Sequence, residues 1–249
     1  MPVAPPQAVP AEHPDKRRYV QEIFSDIAPR YDLLNRVLSM NIDRSWRRKA
    51  VARLLWATRP EGRYLDACAG TLDLATTLAT QRGFRGRVLA TDFALPMLRQ
   101  GVTKAPGHRG TGAPAVAPAV ADTLVLPFAD AVFDGAMVGF GVRNLAGLDD
   151  GLVELARVLK PGARLVVLDF ATPRFAPLRG LYLLYFRHVL PRVGRIISGH
   201  PTAYQYLPDS VMNFPPPHEL ERRLEQAGFR DCGHELLTGG IAAVTWGTR

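Results

Sequence analysis

A chain of 249 residues with 47% hydrophobic residues and a formal charge of +8 is near the size at which one core remains favourable, which argues against several independent domains. No stretch approaches the roughly 20 uninterrupted apolar residues of a membrane-spanning helix. The two cysteines, Cys68 and Cys232, exclude a disulfide framework and fit a reducing cytoplasm.

The first 18 residues, MPVAPPQAVPAEHPDKRR, carry prolines where a signal peptide has its apolar centre, and their charges follow the apolar part. A disordered tail over residues 1–18 and a single domain over residues 19–249 are expected. In YVQEIFSDIAPRYDLLNRVLSM the residues Ile23, Ile27, Tyr31, Leu34 and Leu38 recur at helical spacing interrupted at Pro29, which predicts two short helices. SWRRKAVARLLWA repeats the helical pattern up to the breakers of RPEG, so residues 19–60 form a helical cap.

From Arg63 the pattern changes. RYLDACAG reads as a strand ending in a small-residue turn, TLDLATTLATQ as a helix, RVLATDF as a second strand and ALPMLRQG as its helix. Two parallel strands with a crossover follow. APAVAPAVADT is a weaker strand, VFDGAMVGFG a stronger one, GLVELARVLK a helix closed by Pro161 and Gly162, and ARLVVLDFAT the next strand. PPPHELERRLEQAGF is a helix stopped at Gly228, and two further strands joined at Gly239 and Gly240 close the chain as an antiparallel hairpin. The whole predicts a Rossmann-like class I α/β fold with a seven-stranded, mostly parallel sheet. A long insertion at residues 174–214, rich in aromatic and basic residues, is expected on the substrate side.

In DACAGTLD the first strand ends at Asp66 and turns through small residues to Gly70 and Thr71, so backbone can approach a ligand closely. Asp92 ends the second strand about 20 residues after this turn, where Rossmann-like proteins place an acid for ribose hydroxyls; a helix N-cap is its alternative role. The GxGxxG turn of pyrophosphate binders is absent. S-adenosylmethionine carries no phosphate and suits a turn with Thr71 or Asp73 as the polar group. Asp122, with Ala121 and Thr123 beside it, ends the third strand and is a candidate for the adenine amino group. Asp134 reads as structural.

With these residues in place the chain resembles the ubiquinone and menaquinone biosynthesis C-methyltransferases, the UbiE family, from Tyr19 to Arg249. YDLLNRVLSMNIDRSW is similar to one family signature through Tyr31, Asp32, Asn35, Ser39 and Trp46, with Asp43 where histidine is usual. RVLKPGARLVVLDFATP is similar to a second through Arg157, Lys160, Pro161 and Gly162, with Ala163, Asp169 and Ala171 replacing the usual Gly, Glu and Ser. LPF at Leu126–Phe128, FGVRN at Phe140–Asn144, HVLPRVGRIISG, AYQYLPDSV and LTGGIAAVTWG also match. The resemblance implies cofactor contacts at Thr71, Asp92 and Asp122, with Thr123 beside the adenine, and the turn itself adds Gly70 and Asp66 as cofactor-binding candidates. Two departures touch the cofactor: Ala69 and Leu72 replace glycines of the family turn, and Gly139 stands where serine is frequent.

The resemblance further implies C-methylation of a polyprenyl quinol, with demethylmenaquinol the first choice. Methyl transfer from a sulfonium is an in-line displacement that depends on alignment and exclusion of water. Arg143 is the candidate catalytic group, stabilising a phenolate or orienting water, with Asn144 orienting it; a salt bridge after the fourth strand is its bland alternative. Tyr31 and Asp32 are candidates for a lid. LRGLYLLYFRHVLPRVGRII suits an isoprenoid chain and a reversible, peripheral contact with an anionic membrane. His188 and His200 match no zinc spacing, so no metal is expected, and no basic-aromatic stripe outside the insertion points to nucleic acid. Methylation of another small molecule or of RNA, and a non-catalytic relative that binds lipid or a quinone-assembly partner, are the competing readings.

Overall fold

The computed structural model describes residues 16–39, 41–105, 115–185 and 203–249. Residues 1–15 of the expected tail lie outside these, while Lys16 to Arg18 form the first turn of a helix. The central part of the insertion, residues 186–202 with His188 and His200, also lies outside the described residues.

Helix α1, Lys16–Ser39, is continuous through Pro29, where the spacing had predicted two short helices. Pro29 cannot donate to the carbonyl four residues back, but it lies on the exposed face, where that carbonyl is open to solvent and the helix survives. The opposite face buries Val20, Ile23, Ile27 and Ala28, and this burial, not propensity, stabilises the helix. Helix α2, Asp43–Arg53, buries Trp46, Ala50 and Val51.

The core alternates strands and helices: β1 (Arg63–Ala67), α3 (Asp73–Ala79), β2 (Arg87–Asp92), α4 (Leu95–Val102), β3 (Val116–Val120), β4 (Phe133–Gly139), α5 (Leu148–Val158) and β5 (Leu159–Phe170). Helices α6 (Ala176–Leu184) and α7 (Ala203–Met212) belong to the insertion, and α8 (Pro217–Gln226), β6 (Arg230–Leu237) and β7 (Ala242–Thr248) end the chain. The sheet has the order β3-β2-β1-β4-β5-β7-β6. Strands β1 to β5 are parallel, and β7 enters antiparallel between β5 and β6, pairing Asp169 with Ala243. The weak strand expected around APAVAPAVADT is β3, and its Pro118 is tolerated because β3 has a neighbour on one side only.

The two-residue side-chain period of the strands divides the core between the sheet's faces. Tyr64, Met137, Val166 and Leu168 face one cluster with α2 and α3, whereas Leu65, Val138, Leu165 and Val167 face another with α5 and α8. Strands buried on both faces read as near-continuous apolar runs. Asp134, expected to be structural, binds Arg59 and Lys160 and accepts the Arg63 N–H at the start of β1. Burial raises its pKa, but these partners outweigh it and hold the carboxyl below its ordinary value.

Candidate functional site

Between β1 and β4 the connections leave toward opposite ends of the sheet, so the carboxyl ends of these strands frame a crevice, the usual ligand position in open α/β sheets. Here the cleft encloses about 610 Å³ of empty space, its open mouth included, walled by Cys68 and Gly70 after β1, Asp92 and Phe93 after β2, Asp122 to Leu124 after β3 and Gly139 to Gly141 after β4. Phe24 and Tyr31 of α1 cover it. Two non-glycine residues of the cleft wall have left-handed backbones, Cys68 (φ 53°) and Phe140 (φ 58°), and Leu72 (φ 63°) in the turn beside it is a third. Such conformations concentrate at functional sites.

The Asp92 carboxylate accepts the Gly70 N–H at 2.9 Å and the Ala94 N–H at 2.8 Å. It therefore fixes both the β1 turn and the entry to α4. Burial pushes its pKa up against these bonds. Asp122 accepts the Leu124 N–H at 3.0 Å through one oxygen and pairs with Arg17 at 2.8 Å through the other. Thr123 is buried, its hydroxyl 3.3 Å from the Cys68 sulfur. Each carboxylate oxygen accepts more than one hydrogen bond, so both acids retain capacity toward the cleft.

Gly70, Asp92, Asp122, Thr123 and Asn144 are thus brought together in the cleft wall, whereas Asp66, Thr71 and Arg143 stand behind it. Asp66 is fully buried, accepts the Ala75 N–H at 2.8 Å and leaves its other oxygen without a partner among the described residues. Burial is the main reason its pKa is pushed up to about 8. The Thr71 hydroxyl donates to Asp32 of α1 at 2.6 Å. Leu72, the residue that departs most from the family turn, is fully buried in the core under α4 and does not line the cleft. Gly139 leaves the space in which a serine side chain would meet Leu74 Cδ2, 3.3 Å from the added carbon.

Asp169 of β5, not Asn144, orients Arg143: the guanidinium donates to Asp169 at 2.7 Å and to the Phe140 carbonyl at 2.6 Å. Asn144 donates to the same carbonyl at 3.3 Å and accepts the Tyr206 hydroxyl of α7 at 3.0 Å. Burial works against the charge of Arg143, but the Asp169 carboxylate outweighs it and raises the pKa, so Arg143 stays a cation. Burial pushes Tyr206 up to about 12, so its hydroxyl stays protonated. Sequence spacing did not single out Asp169 or Tyr206 as site residues, although both lie in stretches with family resemblance. Among the described residues no cluster of His, Cys, Asp and Glu is arranged to hold a metal.

The donor set fits a nucleoside without phosphate. Two carboxylates accept hydroxyl and amino hydrogens and would repel a pyrophosphate, Phe93, Met97, Leu124 and Phe140 offer apolar walls, and the Gly70 turn brings backbone to the cavity.

Comparison with known proteins agrees with this geometry. The model of the ubiE/COQ5 methyltransferase family matches residues 12–249. The ubiquinone/menaquinone biosynthesis C-methyltransferase UbiE of Geotalea daltonii is 43% identical over 94% of this chain and 98% of its own. The demethylmenaquinone methyltransferase of Deinococcus radiodurans is 44% identical, with 94% of each chain covered. Among solved structures, a Thermotoga maritima S-adenosylmethionine-dependent methyltransferase superposes with a TM-score of 0.65 at 19% identity, covering 92% of this chain and 99% of that one. The [4+2]-cyclase SpnF superposes with a TM-score of 0.67 at 16% identity, covering 94% and 96%. At such identities the structural likeness establishes the fold alone.

Proposed function

The chain belongs to the ubiE/COQ5 methyltransferase family, and we propose that it methylates a ring carbon of a polyprenyl quinol, with demethylmenaquinol to menaquinol as the leading reaction. The observation that carries the reading is one cleft that combines the Asp92 and Asp122 carboxylates with a wall of Phe24, Tyr31, Phe140 and Asn144. S-adenosylmethionine, when bound, supplies an activated methyl group on a positively charged sulfur.

Asp92 accepts the ribose hydroxyls, and the N–H groups of Gly70 and Ala94 hold its oxygens in place. Asp122 accepts the adenine amino group, with Thr123 beside it. Gly70 gives the cofactor room, while Asp66 and Thr71 support the turn from behind. Alignment and the exclusion of water supply most of the acceleration in such a displacement, which is the task of the apolar walls and of α1. Asn144 faces the cleft and offers its amide to a quinol hydroxyl. Arg143 places a fixed positive charge behind Phe140, and this charge favours the phenolate form, in which electron density reaches the adjacent ring carbon.

Contact with a membrane supplies the acceptor. Phe175, Leu181 and Leu184 are 68%, 65% and 56% exposed along α6, with Arg174 and Arg179 exposed beside them. The inner face of this helix buries Tyr182 against a cluster of Ile23, Ile27 and Val211 that also includes Tyr31. An apolar strip edged by arginines supports reversible binding to an anionic bilayer surface, and no helix among the described residues is long and apolar enough to cross one. Within one catalytic domain, the helical cap, residues 19–60, closes the cleft through Phe24 and Tyr31, and the described helices α6 and α7 of the insertion, residues 174–214, pack against α1.

The test is incubation of purified protein with methyl-labelled S-adenosylmethionine and demethylmenaquinol in detergent. Label on a ring carbon of the product, with S-adenosylhomocysteine released in equal amount, is expected. Cofactor binding without transfer to any demethylated quinol would overturn the reading.

A further inference from the structure

Helix α1 lies across the cofactor cleft and is tied at both ends to residues assigned above to cofactor binding. At its start Arg17 pairs with Asp122 at 2.8 Å, and Arg17 itself lines the cleft. One turn later Gln21 donates to the Phe93 carbonyl at 2.8 Å. Toward its other end Asp32 receives the Thr71 hydroxyl at 2.6 Å on one oxygen and Lys104, beyond α4, at 2.6 Å on the other. Lys104 also reaches Asp73 of α3 at 2.8 Å, and Arg47 of α2 joins the same network through Asp43 and Asp73. Between these ends Phe24 and Tyr31 form part of the wall.

We propose that Arg17 and Lys104 are positioning residues that latch α1 over the bound cofactor, Arg17 acting through Asp122 and Lys104 through Asp32 and Thr71. This rests on the cofactor occupying the cleft as described above. The helix gives Arg17, Phe24 and Tyr31 to the cleft wall, so lifting α1 opens a way out for the cofactor. Lifting breaks the Arg17 and Asp32 contacts, and the same contacts orient Asp122 and the β1 turn against the ligand. Grip on the cofactor and closure of the helix are then one event. Lys16 adds a polar tie at the same end, donating to the Leu145 carbonyl at 2.6 Å and to the Arg143 carbonyl at 3.3 Å.

The two latches differ in weight. Arg17 is 62% exposed on a carboxylate that is 16% exposed, so its loss releases the ligand about two- to fivefold faster, as expected for a screened pair. The side chains of Lys104 and Asp32 are 25% and 14% exposed, and loss of this charge-assisted contact speeds release about tenfold. The latches sit at opposite ends of one helix, so their effects multiply in a double variant.

The experiment measures the dissociation rate of S-adenosylhomocysteine by stopped-flow for wild type, Arg17→Gln, Lys104→Met and the double variant. Hydrogen exchange of α1 is followed with and without ligand. Arg18→Gln is the control: it removes a charge from the same helical turn, but among the described residues Arg18 pairs with Glu22 on the exposed face, away from the cleft. Arg17→Lys tests rescue, and Thr71→Val tests the tie to Asp32 without altering charge. Faster release in the latch variants, with unchanged thermal midpoints, loss of ligand-induced protection in α1, partial rescue by Arg17→Lys and faster release at high salt in wild type but not in the double variant would bear the proposal out. Release from Arg17→Gln and Lys104→Met at the rate of Arg18→Gln would overturn it. Failure of wild type to bind S-adenosylhomocysteine would overturn the cofactor assignment itself, and the latch with it.

Discussion

A carbon added to Gly101 as Cβ would stand 2.4 Å from Cγ of Leu72, so the leucine occupies the space that the glycine of α4 leaves. The same added atom would lie 2.7 Å from the backbone carbon of Thr71. Leu72 has a left-handed backbone that costs an L-residue about 1–2 kcal/mol, and burial of its side chain offsets this. Gly101→Ala is expected to destabilise the protein by about 1–3 kcal/mol through overpacking. Leu72→Gly relieves the backbone but empties the core, for a loss of about 2–4 kcal/mol, with affinity for S-adenosylhomocysteine changed less than about threefold. Urea denaturation and calorimetric titration check both numbers, and a large gain in affinity on removing Leu72 would show that it obstructs the cofactor after all.

Asp92 holds the turn through two N–H groups and, in the proposed reading, also binds the ligand. Asp92→Asn places an NH2 group against the N–H of Gly70 or of Ala94, and Asp92→Ala leaves both without their acceptor. Either change is expected to weaken S-adenosylhomocysteine binding by about 10- to 100-fold, the range for losing hydrogen bonds to a charged group. Calorimetry that finds wild-type affinity in both variants would remove Asp92 from the site.

The Arg143–Asp169 pair has a structural and a chemical share that mutation separates. Arg143→Met leaves a buried carboxylate unpaired and is expected to cost about 3–5 kcal/mol. Adding Asp169→Leu should restore most of that stability, because an apolar pair replaces the ionic one. Methyl transfer should stay low in the double variant, since the Phe140 carbonyl has lost the shorter of its two hydrogen bonds and the wall has lost the positive charge behind it. Denaturation curves and turnover of both variants make the test; recovery of activity together with stability would reduce Arg143 to a scaffold residue.

Asp66 carries a pH dependence whose sign is fixed by its environment. Burial lifts its folded-state pKa from the ordinary 3.8 to about 8, so folding takes up a proton between these values. The stability this provides is complete below about pH 4 and is lost as pH rises through about 8. Asp66→Asn removes the titration while keeping an acceptor for the Ala75 N–H. The variant's stability relative to wild type should therefore climb from pH 4 to 8, by at most about 1.4 kcal/mol per pH unit, and level off above. Urea titrations across pH 4–9 giving a constant difference would refute this.

The exposed strip of α6 gives a prediction at the membrane. Wild type should float with vesicles containing anionic lipid at low salt and come free at high salt. Leu181→Asp with Leu184→Asp, both at exposed positions, should weaken this binding by at least about tenfold without changing the thermal midpoint. Equal flotation of the variant would move the contact elsewhere on the surface.

Local pattern sufficed for much of this fold. Strand and helix are set by side-chain periods of two and 3.6 residues, so β1, α3, β2, β4 and β5 were legible from where apolar residues recur. Asp92 and Asp122 were legible as candidate ligands because strands and turns fix where a following acid stands. Pro29 was misread because whether proline breaks a helix depends on which face it occupies, and that face is set by what α1 packs against.

What the sequence determined by itself was therefore the order of elements, the turn after β1 and the family to which these motifs belong. Tertiary structure alone decided which groups meet. Only packing joins Arg143 to Asp169 across 26 residues, Tyr206 to Asn144 across 62, or Asp32 to Lys104 across 72. Packing also turns Leu72 into the core and out of the cleft wall, whereas its position in the motif had set it against the cofactor. The physical reason is that periodicity is a property of neighbours along the chain, while an ion pair or a filled cavity depends on distances between elements that the whole core must first bring together.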